Sequence, residues 1–221
     1  MLGSLFPKIL DLEDSVIENL PKWDGIEDTP WEILSKKNSN NLNKQLIDFI
    51  NNKINLKATK ELMIDETNGR VYIHPSAKIG EFVKIEGPSY IGKNVEIRHC
   101  AYIRQGSWIC QNAIIGHSSE IKNSILLPGS KAPHFNYVGD SIIGFDVNLG
   151  AGVKLSNVRH DKRNIIIELE NGEKRVTYLK KLGALIGDGS GLGCNVVTNP
   201  GTIISPNTMI MPNETLSGWN C

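Results

Sequence analysis

Isoleucine and leucine recur along this chain at a fixed interval of six. Ile73, Ile79, Ile85, Ile91, Ile97, Ile103, Ile109, Ile115, Ile121 and Leu127 fill ten successive positions of that register. Four places after each comes a mostly small residue: Ala77, Val83, Ser89, Val95, Ala101, Ser107, Ala113, Ser119, Ile125 and Lys131. The register resumes at Ile143, Leu149 and Leu155, then at Ile186, Leu192, Thr198, Ile204, Ile210 and Leu216. Neither the 3.6-residue turn of an α-helix nor the two-residue alternation of a strand requires this period. A parallel β-helix does, because each hexapeptide is one short strand plus one corner. The aliphatic residue fills the interior and the small one lets the chain turn. The expected fold is therefore all-β. If three hexapeptides close each coil, residues 18 apart stack in adjacent coils about 4.8 Å from each other.

Two stretches break the register. One lies between Leu127 and Ile143 and contains PGSKAPHFNYVGD. The other runs from about Ser156 to Leu185, and its NIIIELENGEKRVTY places two β-rich runs around Asn171-Gly172. That dipeptide predicts a hairpin turn, so a β-hairpin should project from the coil stack. Loops set into a rigid scaffold are where function tends to sit. Residues 1–70 differ again, being rich in Asn, Lys, Asp and Glu. Helix-like patterns cover Ile9–Leu20 and Asn41–Ile54, separated by Pro21, Gly25 and Pro30. They predict a small helical arm packed on the first coil or on a neighbouring subunit, leaving 71–221 as the coil domain.

Charge narrows the partners. Lysine plus arginine equals aspartate plus glutamate at 24 each, so nothing electrostatic favours a nucleic acid or an anionic membrane. No apolar run approaches the ~20 residues of a membrane-spanning helix, and MLGSLFPKILDLEDSV lacks the basic start of a signal peptide. Cys100, Cys110, Cys194 and Cys221 form no CxxC pair, which fits a reduced, cytoplasmic setting.

The candidate chemistry lies in and beside the first break. His134 sits between Lys131 and Tyr137 on a loop, where it is either a general base near neutral pH or a surface histidine fixing the loop. Arg104 and Lys122 are 18 apart and should stack as like charges. Such a pair at ~5 Å is unfavourable without an anion beside it. Glu86, one coil earlier, could neutralise Arg104; a bridging phosphate is the alternative. His99 and His117 are also in register and could begin a metal site, though no third ligand is obvious.

The segment SEIKNSILLPGSKAPHFNYVGDSIIGFDVNLGAGVKLSN resembles the left-handed β-helix acetyltransferase domain of the bifunctional glucosamine-1-phosphate acetyltransferase/uridylyltransferases. Lys131, His134, Tyr137, Gly139, Asp140, Asn148, Gly150, Ala151 and Gly152 fall on that family's motif. The later KKLGALIGDGSGLGCNVVTNPGTIISPNTMIMP is similar to the archaeal-type sugar-1-phosphate nucleotidylyltransferase/acetyltransferases. The resemblance implies a left-handed coil and a homotrimer with acetyl-CoA as acyl donor. It also implies transfer to the 2-amine of a hexosamine 1-phosphate, glucosamine 1-phosphate first among them, in nucleotide-sugar synthesis. It makes His134 the base, oriented by the backbone of Asn157, and makes Arg104 and Lys122 the sugar-phosphate clamp. Tyr137 and Asn148 fall on sugar-binding positions, Ala151 and Cys194 on contacts to the acyl donor. No metal is implied.

Departures from the pattern qualify this. The chain lacks the G-x-G-T/S-R-M nucleotide loop and the ~200 residues of a uridylyltransferase domain, so it is not expected to make the nucleotide sugar. Val158-Arg159-His160-Asp161 stands where the bacterial proteins have Tyr-Asp-Gly, and LSGWNC replaces their basic tail. Lys162, Arg163, Lys180 or Lys181 would then hold the CoA phosphates. Two other classes stay open: a catalytically silent trimeric scaffold, and a γ-carbonic-anhydrase-like metal enzyme.

Overall fold

The computed structural model describes residues 1–10, 19–51 and 62–221. From Leu62 onward the chain winds as a left-handed parallel β-helix with three sheet faces of eight, eight and seven short strands. Face A includes Tyr102–Ile103, Glu120–Lys122, Tyr137–Gly139 and Lys154–Leu155. Face B includes Ser107–Ile109, Ile125–Leu126 and Ile142–Ile143; face C includes Ile114–His117, Lys131–His134 and Asn148–Leu149. The hexapeptide aliphatics form one continuous buried column, with Ile85, Ile91, Ile97, Ile103, Ile109 and Ile115 all inside. Each buried aliphatic contributes roughly 1.5–3 kcal/mol, and only one residue in each hexapeptide is needed for it.

The expected break after Leu127 is not a break. Leu126, not Leu127, stacks on Ile109 and enters the core. Ile125, Leu126 and Leu127 are all apolar, so the six-residue count cannot tell which of them turns inward. Two successive coils are each one residue short: Leu126 follows Ile121 by five places, and Ile143, which stacks on Leu126, follows Val138 by five. Ala132 stacks on Ile115 and Val138 on Ile121, and both are buried in the column. Lys131–His134 and Tyr137–Gly139 are therefore ordinary coil strands, and the expected catalytic loop is part of the rigid scaffold. A one-residue slip within a strand reverses every side chain that follows; both five-residue steps fall instead at the corner between faces A and B, so the interior positions are kept.

The outer side of face B is apolar. Tyr90, Trp108, Ile125, Ile142, Leu185 and Ile203 point outward from it and are buried nonetheless. The arm covers them with Leu5, Phe6, Trp23, Trp31, Leu42 and Leu46, so it spans several coils rather than capping the first. Asp188 anchors it. Its carboxylate accepts the backbone N–H of Lys8 at 3.1 Å and of Phe145 at 2.8 Å, and its own N–H donates to the Leu5 carbonyl at 3.0 Å.

Of the two helices expected in the arm, the second is present at Leu42–Ile50, with the Asn41 side chain capping the Lys44 N–H. The first falls largely on residues 11–18, outside the described residues; a helical turn at Leu2–Leu5 and a 3-10 turn at Pro7–Ile9 come before it. The hairpin pairs Ile166–Glu168 with Lys174–Val176 around Asn171-Gly172. Rather than standing clear, it folds back and buries Ile165 and Ile167 against Leu185 and Ile203 of face B. Among the described residues no helix is long and apolar enough to cross a membrane.

Candidate acyltransfer site on face A

Faces C and A meet at a corner where each coil turns through one residue of positive φ: Phe82, Cys100, Ser118, Phe135, Gly152, Asn195 and Asn213. A ladder of backbone bonds joins successive turns. The His117 carbonyl accepts from Phe135, that of His134 from Gly152, that of Ala151 from Asn195, and that of Cys194 from Asn213. Three expected site residues, His134, Ala151 and Cys194, thus sit one above another on three consecutive coils. Neighbouring rungs of such a ladder are about 4.8 Å apart. His134 and Cys194 are exposed. The Ala151 N–H has no hydrogen-bond acceptor among the described residues.

Asn136 fixes the turn beside His134. Its side chain accepts the His134 N–H at 3.0 Å and donates to the Gly150 carbonyl at 2.7 Å. The backbone at position 134 is therefore set, while no described residue hydrogen-bonds the imidazole itself. His134 is also the Cα partner of His117, whose ring stacks on His99 with centroids 4.7 Å apart. The shortened coil thus supplies a third histidine in register, contrary to the sequence expectation of two. Phe135 packs edge-on against His117, and among the described residues no group of three His, Cys, Asp or Glu is placed to share a metal ion.

The opposite edge of face A, where it meets face B, is charged and interlocked. Lys122 Nζ lies 3.1 Å from Asp140 Oδ2, with side chains only 14% and 6% exposed. Asn157 donates to the same Asp140 oxygen at 2.5 Å, and Asn123 to the other at 2.8 Å. Asn157 also reaches the Tyr137 hydroxyl at 3.3 Å. Burial, with the negative charges of Glu120 and Asp140 close by, lifts the Tyr137 hydroxyl above the usual tyrosine value.

Arg104 donates through Nη1 to Glu120 at 2.8 Å, while its Nε is buried without a partner. Glu86, the expected partner of Arg104, instead accepts from the Tyr102 hydroxyl and pairs with Lys84. The competing carboxylate comes from the next coil, by the diagonal contact that a strict 18-residue count skips.

Two other expectations change. The Asn157 carbonyl accepts the Leu182 N–H at 3.0 Å, closing the 158–181 excursion. Asn157 stands on the Arg104 side of face A, so within one chain its backbone does not orient His134. Asn148 is exposed on face C beside Lys131, not on face A with Tyr137. Two residues without a role in the sequence reading shape this edge: Glu120, and Asp140, which the motif contains. Of the lysines and arginines expected near CoA phosphates, Arg163 is held by Asp161 at 2.8 Å. Lys180 donates to the Lys162 carbonyl at 3.0 Å, yet with Lys181 it lines the cleft around Arg104 and Lys122.

Comparison with known proteins agrees with this architecture. The bacterial transferase hexapeptide (six repeats) family matches residues 70–105. Bifunctional protein GlmU of Methanococcus maripaludis (strain C5) is 39% identical over 184 residues, covering 83% of this chain and 42% of that protein. The bifunctional sugar-1-phosphate nucleotidylyltransferase/acetyltransferase of Sulfurisphaera tokodaii is 35% identical over 188 residues, 85% of this chain and 45% of that protein. The chain thus spans less than half the length of these bifunctional relatives. The uncharacterized acetyltransferase YaiX of Escherichia coli (strain K12) is nearer in size: 34% identical over 158 residues, 72% of this chain and 68% of that protein. With its unbroken coil and this likeness along most of its length, the chain belongs to the hexapeptide-repeat acetyltransferase family.

Proposed function

We propose that the protein transfers an acetyl group from acetyl-CoA to the 2-amine of a hexosamine 1-phosphate, with glucosamine 1-phosphate the first candidate. One observation carries this reading: His134, Ala151 and Cys194 share one ladder at one edge of face A, and Arg104 and Lys122 present cations at the other. A sugar lying across the face would have its amine at the first edge and its phosphate at the second, with Tyr137 between them. The names of the bifunctional relatives support the same substrate class.

The step is a direct transfer. His134 removes a proton from the ammonium of the sugar, and the freed nitrogen attacks the thioester carbonyl. The Ala151 N–H, free of any other acceptor, donates to the oxyanion that forms. The C–S bond then breaks, the nitrogen gives up its second proton to solvent, and the CoA thiolate takes the first proton from His134. The products are the N-acetylated sugar phosphate and free CoA. Mass spectrometry and NMR of the product test this. An amide at the 2-amine of glucosamine 1-phosphate, formed mole for mole with CoA thiol, is the expected result; an O-acetyl ester would overturn the assignment.

The working unit in this proposal is a homotrimer. Tyr137 is on face A and Asn148 on face C, so one chain cannot close both around one sugar. Face B is buried under the arm, which leaves A and C to meet between copies in closed symmetry. Sedimentation should give three times the 24.4 kDa chain mass at micromolar concentration; a monomer with full activity would rule this out.

A further inference from the structure

The Arg104 edge opens into a cleft of about 710 Å³ between the coil and the arm. Lys36, Arg104, Lys122, Lys180 and Lys181 line it against a single carboxylate, Asp140. Asp140 pairs with Lys122, and Glu120 pairs with Arg104. Lys36, Lys180 and Lys181 have no carboxylate partner among the described residues, and Lys180 makes only a bond to a backbone carbonyl. Three unneutralised cations in one concave wall raise the local concentration of anions and repel one another when none is bound. The remaining wall is apolar and comes from both sides, with Leu34 and Ile47 from the arm and Pro88 and Leu179 from the coil domain.

A hexosamine monophosphate needs far less room than this. Pockets of roughly 300–1,000 Å³ enclose ligands of drug size, and one phosphate is already provided for by Arg104 and Lys122. We infer that the cleft is a second anion subsite, which takes a phosphoryl group attached beyond the anomeric phosphate of the acceptor. The protein then accepts amino sugars carried on a diphosphate, with the apolar wall against the group at the far end of that diphosphate. This rests on the acetyltransfer reading and refines its acceptor. Lys36 gives the arm a role in choosing the substrate, beyond covering face B.

The test compares two acceptors at saturating acetyl-CoA, glucosamine 1-phosphate and uridine diphosphate glucosamine. Wild type should favour the diphosphate by about tenfold or more in kcat/KM, through KM, as expected for added charge-assisted contacts. In Lys180→Ala/Lys181→Ala that preference should vanish. In Lys36→Ala it should fall several-fold, with the monophosphate kinetics unchanged. A wild-type ratio near one would overturn the inference, as would a ratio that survives the double substitution. A raised KM for acetyl-CoA with both acceptors alike would also overturn it and assign the lysines to the CoA phosphates. If neither acceptor is acetylated, the transferase reading itself fails. Binding measured by calorimetry then decides the subsite: tighter binding of the diphosphate, lost in the double variant, supports it, and equal binding of the two compounds refutes it.

Discussion

The two edges of face A are built in opposite ways. At the Arg104 edge the side chains nearest the sheet are interlocked: Asp140 alone is engaged by Lys122, Asn123 and Asn157. At the His134 edge the backbone is pinned by Asn136, while the imidazole, the Cys194 thiol and the Ala151 N–H make no hydrogen bond to any described residue. An interlocked network holds charge in a fixed place, which suits binding. Groups on a fixed backbone with unbonded reactive atoms suit chemistry. Mutations at the two edges should therefore separate turnover from binding and stability.

His134→Ala should give the largest effect, a loss of about 10²–10⁴-fold in kcat, the usual share of a positioned general base. Its melting temperature and KM for the sugar phosphate should stay near wild type, because the imidazole contributes no hydrogen bond to the fold. A variant with unchanged turnover would remove His134 from the mechanism and erase the contrast between the edges.

Asp140→Ala should act the other way. It leaves Lys122 largely buried without its counter-charge, which typically costs about 3 kcal/mol or more. Thermal or denaturant unfolding should show that loss, and the sugar KM should rise with it as Asn157 and Tyr137 lose their anchor. Unchanged stability would mean that the network is not interlocked.

Arg104→Ala comes next. Losing one charge-assisted phosphate contact, worth about 1.5–3 kcal/mol, should raise the sugar-phosphate KM by one to two powers of ten. The Arg104–Glu120 pair is about one-third exposed, and pairs of that kind contribute about 0–1 kcal/mol, so stability should change little. A large fall in melting temperature with all substrates weakened alike would instead make Arg104 structural.

The smallest expected effect is in alkali. The native Tyr137 hydroxyl titrates above its unfolded value of ~10 because burial favours the neutral form. A raised native value contributes stability that is complete below the unfolded value and is lost as pH rises through the native one. Unfolding followed above pH ~10 should show that decline, and Tyr137→Phe should remove its share of it. An identical alkaline profile in the variant would count against the burial of that hydroxyl.

Much of this was legible in the sequence, and the failures have identifiable causes. The coil could be read because one buried aliphatic per hexapeptide is a demanding pattern. The false break arose because three consecutive apolar residues, Ile125, Leu126 and Leu127, conceal the first of two one-residue shortenings, the second coming between Val138 and Ile143. Its consequences were the missed strands at Lys131–His134 and Tyr137–Gly139 and the missed register of His134 with His117. The covered face could have been found: Tyr72, Tyr90 and Trp108 recur at 18-residue spacing immediately before interior positions, where faces A and C carry Lys84, Tyr102 and Glu96. Arg104 and Lys122 were visible as stacked charges, but their partners Glu120 and Asp140 were not, since diagonal and corner contacts have no fixed offset in a coil whose length varies.

Thiol release from acetyl-CoA by the wild-type protein, measured with glucosamine 1-phosphate and with free glucosamine, puts both edges on trial at once. Charge-assisted binding at the Arg104 edge predicts that the phosphate improves kcat/KM by about tenfold to several hundredfold, with one thiol released for each sugar acetylated. Equal rates for the two sugars, or no thiol release with either, would contradict it.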